Sequence, residues 1–265
     1  MPGLSAVEFL DDTEIMFAEH PFPGLTSRER VEVDRIWRET QARNPAAFDG
    51  PIAAALGVDQ PRTGPPVVRW AATTYRSRAL RRLRPLDRVP GALFVTVLVP
   101  TERGLLIGRG SPCTAHPGFW ALPGGAVEPP RAGQALDRAE LGRQAARELV
   151  EETGVSVDAG ELRPWALTRG RRFGSVGFHF LCPPQRSDRV LRLHAELAAA
   201  HSGSGTEPEL DQLSFVPSPA LAGSLAPTAD FLPQLLDRYF TSSSTHLLTQ
   251  TSGPPSATPH RSEKR

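Results

Sequence analysis

The segment Arg147-Glu-Leu-Val-Glu-Glu-Thr-Gly-Val155 restricts what this chain can be more than any other stretch of it. Wound as a helix at about 100° per residue, it places Glu140, Glu148, Glu151 and Glu152 within about a third of the circumference. Ala145, Leu149, Ala146 and Val150 take the neighbouring arc, so a predicted core face adjoins a face of carboxylates. Like charges three and four residues apart cost about 0.2–0.5 kcal/mol per pair, and a helix with a purely structural role gains by dispersing them. Their concentration predicts a cation among them. Hard divalent cations take oxygen ligands, and Mg²⁺ binds through one or two carboxylates while keeping water and substrate phosphate in its other positions. Glu148, Glu151 and Glu152 supply that chemistry, and Arg147 is spaced one turn before Glu151 to hold it as an ion pair. Asp137 with Glu140 three residues later reads as a capping box, and Gly154 as the left-handed residue that ends the helix.

Upstream lies Gly118-Phe-Trp-Ala-Leu-Pro-Gly-Gly125, in which Gly124 and Gly125 let the backbone approach a ligand or metal without a Cβ in the way, and Trp120 reads as core. Together the two segments resemble the signature of the Nudix hydrolases, Gly-x5-Glu-x7-Arg-Glu-U-x-Glu-Glu-x-Gly-U, with U aliphatic. The second half matches at Arg147, Glu148, Leu149, Glu151, Glu152, Gly154 and Val155. The first half departs: the first acid of the signature falls on Ala139, with Glu140 one residue late, and Gly124-Gly125 stand about eight residues further upstream than usual. A Pro-Pro-bearing insertion of that length between the glycine turn and the helix accounts for the departure. The resemblance implies an α/β protein with a Nudix-type α/β/α sandwich around a mixed β-sheet. It also implies Mg²⁺ (alternatively Mn²⁺) held by Glu148, Glu151, Glu152 and Gly125, and hydrolysis of a diphosphate linkage with Arg147 and Glu148 or Glu209 in the catalytic set. Three substrate readings stand: a nucleotide sugar such as UDP-glucose; ADP-ribose, a dinucleotide or a damaged nucleoside triphosphate; or no turnover at all, in a nucleotide-sensing module.

Residues 1–88 read as a small α+β extension, 89–240 as the Nudix domain and 241–265 as a disordered tail poor in core-forming residues. In the extension, Ser27 caps a predicted helix to about Ala42 bearing Trp37. Pro51–Gly57 and Val67–Thr74 form a predicted hairpin, and Tyr75 to Pro85 is a basic stretch. A Trp-bearing helix, a Phe-Asp turn and a Thr-Tyr-Arg run are loosely similar to the front end of members that act on nucleotide sugars, which nominates Tyr75 and Arg76 as substrate-binding. Arg78, Arg81 and Arg82 are further guanidinium groups suited to diphosphate, with a solvated basic face as the plainer alternative.

Farther on, Ala92 to Val99 reads as a strand with Leu105 to Arg109 as its return partner, and Arg109 is a third candidate for the substrate. Leu162–Thr168 and Ser175–Cys182 read as strands, with His179 structural. Ala195 to Gly205 reads as a loosening of the chain, and a short strand follows Thr206. Glu207 and Glu209 stand where many family members carry an extra acid, Glu209 as the first choice for base and Glu207 for substrate contact. A last helix starts at Thr228 or Asp230 and carries Phe231, Leu235, Leu236 and Phe240, with Pro233 in its first turn.

No run of 18 apolar residues predicts a transmembrane helix, and the first residues lack the pattern of a signal peptide, so the expectation is a cytoplasmic protein. A formal net charge of +1 gives no support for nucleic-acid or membrane partners; the resemblance implies a small-molecule nucleoside diphosphate as partner, with a homodimer as a further expectation. Cys113 and Cys182 are too few for a disulfide framework.

Overall fold

The structure is a computed structural model that describes residues 7–10, 14–222 and 225–251. In chain order these form β1 (Val7–Leu10), β2 (Met16–Glu19), α1 (Ser27–Arg43), β3 (Pro51–Asp59) and β4 (Val67–Thr74), followed by a 3-10 turn (Tyr75–Arg82). Next come β5 (Gly91–Leu98), β6 (Pro100–Thr101), β7 (Gly104–Gly110), β8 (Trp120–Ala121) and α2 (Arg138–Thr153). The chain continues through β9 (Arg163–Gly170), β10 (Val176–Leu181), α3 (Ser187–Ser204), β11 (Leu210–Val216), α4 (Pro219–Ala222) and α5 (Leu232–Thr251).

A seven-stranded mixed sheet runs in the order β1-β9-β10-β5-β3-β4-β2, with β10 parallel to β5 and β2 parallel to β4. A smaller antiparallel sheet runs β11-β7-β6, with β8 paired to β7. Alternation along β5 assigns its two faces. Leu93, Val95 and Val97 join one core with Leu141, Ala145 and Leu149 of α2 and Val190 of α3. On the other face Phe94 stacks on Phe231 at 5.1 Å, and Leu98 enters a second core with Leu105, Ile107, Leu232, Leu235 and Leu236. Helices therefore cover both faces of the large sheet, and the architecture is the α/β/α sandwich that the motif resemblance implies.

Residues of the N-terminal extension share this sheet. Ala54 and Ala55 of β3 pair with Ala92 and Gly91 of β5, and β1 pairs with β9 from Val7↔Gly170 to Leu10↔Leu167, although the first 27 residues carry little periodicity. The helix of the extension is capped by Thr26, not Ser27: its hydroxyl accepts from the Glu29 N–H at 3.2 Å and Glu29 returns to the Thr26 N–H at 2.8 Å. Arg84 adds a bond to Glu29 at 2.6 Å, and these bonds hold its carboxyl down at about 2.

Elsewhere pairing departs from the sequence reading. β7 does not return along β5. It returns only along β6, at Pro100↔Leu105 and Thr101↔Gly104, with the Leu106 N–H to Val99 carbonyl bond at 3.0 Å beyond, and then turns into the second sheet and pairs with β11. Leu105, Leu106 and Ile107 are all fully buried, so this strand needs cover on both sides, and β11 closes its free edge. Residues 195–204 belong to α3: Ala and Leu are strong helix formers, and Gly205 ends the helix in the left-handed conformation at φ 74°. Val150, assigned to the core face of the acidic helix, is 39% exposed. The last helix continues to Thr251, past the expected start of the tail at 241, and residues 252–265 lie outside the described residues.

His179 of β10 is buried between two threonines, with Nδ1 2.7 Å from Thr96 Oγ1 and Nε2 2.8 Å from Thr168 Oγ1. Burial, reinforced by the Arg238 charge, lowers its pKa to about 3. The unfolded chain takes up this proton near pH 6.5 while the folded chain resists until about 3, so the contribution is present at neutral pH and lost on acidification. The unfolding free energy of the wild type, measured relative to His179→Gln by urea denaturation, is expected to fall by up to about 1.4 kcal/mol per pH unit between these limits. A pH-independent difference would contradict this assignment.

Candidate active site

The glycine turn is locked into the large sheet beside β5. Val97 and Val95 donate their N–H groups to the Pro123 and Gly125 carbonyls at 2.8 and 3.0 Å, Val127 donates to Leu93 at 3.0 Å, and Ala53 of β3 donates to Val127 at 2.7 Å. Residues 123–127 thus fill the gap between β5 and β3, against the sheet face on which α2 lies. Gly124 has φ 149°, and a Cβ there would collide with the Val95 carbonyl. A Cβ on Gly125 would collide with the carboxylate of Glu148.

Helix α2 begins at Asp137, whose carboxylate accepts the Glu140 N–H at 2.7 Å. The reciprocal half of the expected box is missing because Glu140 is engaged elsewhere, with Arg143 Nη2 at 2.7 Å and Gln144 Nε2 at 2.9 Å. Burial would raise the Glu140 carboxyl, but these bonds prevail and hold it below its usual value. Gln144 is itself buried and grips the base of the insertion, accepting the Glu128 N–H at 2.8 Å and donating to the Glu128 carbonyl at 3.1 Å. The insertion and the first turns of α2 enclose an open cleft of about 380 Å³ lined in part by Pro130, Arg131, Gln134 and Arg143.

The carboxylates gather at the other end of the helix. Glu152 is only 6% exposed and accepts the Gly124 N–H at 2.7 Å; burial drives its pKa well up, against that bond and with the push of Glu148 and Glu209. Glu148 is half-buried against Gly125. Burial first, then Glu209, Glu151 and Glu128, raise it to about 7, with Arg147 opposing. Glu151 is exposed, 4.0 Å from Arg147, which approaches Glu128 more closely at 3.3 Å. Glu209, exposed as a residue but with a partly enclosed carboxyl, is raised by that enclosure and by Glu151. Glu128 is a member of this group that sequence reasoning missed; its signal was a carboxylate three residues beyond the glycine pair.

Residues nominated for the substrate lie in other surroundings. Arg76 is bound to Asp34 and Asp49, each at 3.2 Å, and Arg109 makes a two-pronged bond to Asp211 at 2.8 and 3.1 Å. Tyr75 packs against Trp37 with ring centres 6.3 Å apart, under the guanidinium of Arg78 at 4.3 Å. Glu207 is exposed, its carbonyl 3.9 Å from the Cys113 thiol. Among the described residues no three His, Cys, Asp or Glu side chains form a ready cage for a metal, and no helix is long and apolar enough to cross a membrane.

A family model described as the NUDIX domain matches residues 88–239, more than half of the 265-residue chain, and the chain belongs to the Nudix hydrolase family. Among solved structures it is similar to the MutT protein of Methanosarcina mazei Go1 (19% identity, TM-score 0.40, covering 57% of this chain and 94% of that one). It is also similar to a bifunctional NMN adenylyltransferase/ADP ribose pyrophosphatase of Francisella tularensis, complexed with AMP and a manganese ion. There the identity is 16% and the TM-score 0.39, covering 63% of this chain and 45% of that one. A Nudix hydrolase of M. smegmatis, RenU, has 17% identity and a TM-score of 0.34, covering 58% and 86% respectively. A search of curated proteins gave no match.

The crowding of acids has a thermodynamic signature. A carboxyl whose folded pKa lies above its unfolded value is ionised at neutral pH only at a cost to the fold. In metal-stripped protein at pH 8, Glu148→Gln is therefore expected to raise the melting temperature by a few degrees, on the order of 1 kcal/mol. A lowered melting temperature would show that the Glu148 charge is a net support of the fold.

Proposed function

We propose that the chain hydrolyses the diphosphate linkage of a nucleoside diphosphate derivative, with a nucleotide sugar such as UDP-glucose as the first choice of substrate and Mg²⁺ as its cofactor. The observation that carries the reading is the convergence of Glu148, Glu151, Glu152, Glu128 and Glu209 beside a glycine backbone without side chains. The donor set fits a hard divalent cation: carboxylate oxygens of like charge, of which Glu148 and Glu152 are raised above their usual pKa by burial first and then by neighbouring acids, with Arg147 as the nearby cation. Glu148, Glu151 and Glu152 would hold the ion, with the Gly125 carbonyl, which already accepts from Val95, offering its second lone pair. A bound Mg²⁺ neutralises phosphate charge and lowers the pKa of a coordinated water.

The protein's own groups divide the remaining work. Gly124 N–H fixes the rotamer of Glu152. Glu148 or Glu209 would take the proton of the attacking water. Arg147 restrains Glu128 and Glu151 on the open side. Phosphoryl transfer is carried mainly by such positioning and charge neutralisation, so an insertion beside the turn can redirect substrate choice while leaving the reaction in place.

The test is phosphate-coupled hydrolysis of UDP-glucose, ADP-ribose, NADH, diadenosine polyphosphate and 8-oxo-dGTP with Mg²⁺, comparing the wild type with Glu148→Gln and Glu152→Gln. Turnover of one substrate class is expected, with kcat falling about 100-fold or more in Glu148→Gln. Absence of turnover on every compound, with nucleotide binding unchanged in the variants, would replace this reading with that of a sensing module.

A further inference from the structure

The arginines of the turn Tyr75–Arg82 are of two kinds. Arg76 and Arg82 are neutralised, the first by Asp34 and Asp49 and the second by Glu39 at 3.4 Å. Arg78 and Arg81 are not: among the described residues no ion pair joins either of them to a carboxylate. Arg78 lies over the Tyr75 ring with its Nε buried and without a hydrogen-bond partner, and Arg81 lies 4.7 Å over the Phe173 ring. A buried donor left unpaired bears its full desolvation cost, so the arrangement is suited to an acceptor brought from outside the chain.

Both guanidinium groups bear on His116, in the loop between β7 and β8. His116 is exposed as a residue, yet its ring is hemmed in, and that enclosure together with the charges of Arg78 and Arg81 lowers its pKa, while Asp230 opposes them and also acts on Arg81. Arg81 is likewise lowered, first by burial and then by Arg78. Phe119, 38% exposed, meets the His116 ring edge-on at 6.0 Å and offers an apolar wall. The loop is tied to the acidic site by its backbone: the Ser111 N–H donates to the Glu209 carbonyl at 2.8 Å, and the Gly110 N–H donates to Phe119 at 2.9 Å.

We infer that Arg78 and Arg81, whose guanidinium groups have no carboxylate in an ion pair among the described residues, form a phosphate-binding subsite on the turn Tyr75–Arg82 that takes a phosphate group of the substrate. Guanidinium forks grip phosphate oxygens through paired N–H donors, and a phosphate here relieves the mutual repulsion of the cations while satisfying the Arg78 Nε. The subsite deepens the proposed function and rests on it for identifying the phosphate as part of a nucleotide; anion binding itself does not rest on it.

The experiment is thermal unfolding of the full-length, metal-stripped protein in increasing inorganic pyrophosphate, against sodium chloride at matched ionic strength. Pyrophosphate is expected to stabilise the wild type beyond the chloride control. Arg78→Gln and Arg81→Gln should weaken the apparent affinity about tenfold or more, the scale of a lost charge-assisted bond, and Arg76→Gln and Arg82→Gln should stay within about twofold. Should Arg81→Gln fail to fold, Arg81→Lys keeps the charge and stem but loses the fork, and a severalfold weakening is expected. A wild type that responds no more than to chloride, or Arg78 and Arg81 variants that respond like the wild type, would overturn the inference. Glu151→Gln should retain the anion response. An intact response without hydrolysis therefore removes the proposed function alone, and hydrolysis without a response removes the subsite alone.

Discussion

The hydrogen bond from the Gly124 N–H to Glu152 joins the two halves of this molecule on which everything else depends. On one side of it, residues 123–127 are built into the sheet as if they were a strand, bonded to β5 and, through Val127, to β3. On the other, α2 lies on the same sheet through Leu141, Ala145 and Leu149, all fully buried. Burying three such side chains contributes several kcal/mol, on the order of 1.5–3 for each large one, and this holds a helix end dense in acids where its own electrostatics would not. The positive φ of Gly124 and the bare Cα of Gly125 then let that end approach the backbone. A side chain at Gly125 would push the Glu148 carboxylate away from the turn, and one at Gly124 would push the turn off β5.

The N-terminal extension is part of the same construction. Its hairpin β3–β4 continues the sheet beyond β5, and its turn Tyr75–Arg82 carries two guanidinium groups in no ion pair among the described residues, near the loop whose Ser111 N–H donates to the Glu209 carbonyl. The molecule thus carries unbalanced negative charge at the end of α2 and unbalanced positive charge at the edge of the extension, each held by apolar packing beneath it. Such paired imbalances suit a ligand that brings a cation to one and phosphate to the other.

Much of this was legible in sequence because it is written in local periodicity. The acidic face of α2, its cap at Asp137 and its stop at Gly154 follow from spacing and from residue types whose conformations are narrowly constrained. What was not legible depends on partners distant in the chain. The buried run Leu105–Ile107 says that both its faces are covered, but not that β11, about a hundred residues on, pairs along its edge. Helix α3 was obscured because its Ala- and Ser-rich end lacks a polar face to contrast with an apolar one. Arg76 and Arg78 look alike in sequence; only the fold brings Asp34 and Asp49 to the first and leaves the second unpaired.

The central claim is that the carboxylates at the end of α2 are held together for a divalent cation. The most direct measurement is calorimetric titration of metal-stripped protein with Mn²⁺, in the wild type and in Glu152→Gln, followed by competition with Mg²⁺. The account predicts saturable binding that Mg²⁺ displaces and that weakens about tenfold or more in Glu152→Gln. Binding of equal strength in the two proteins, or none in the wild type, would contradict it.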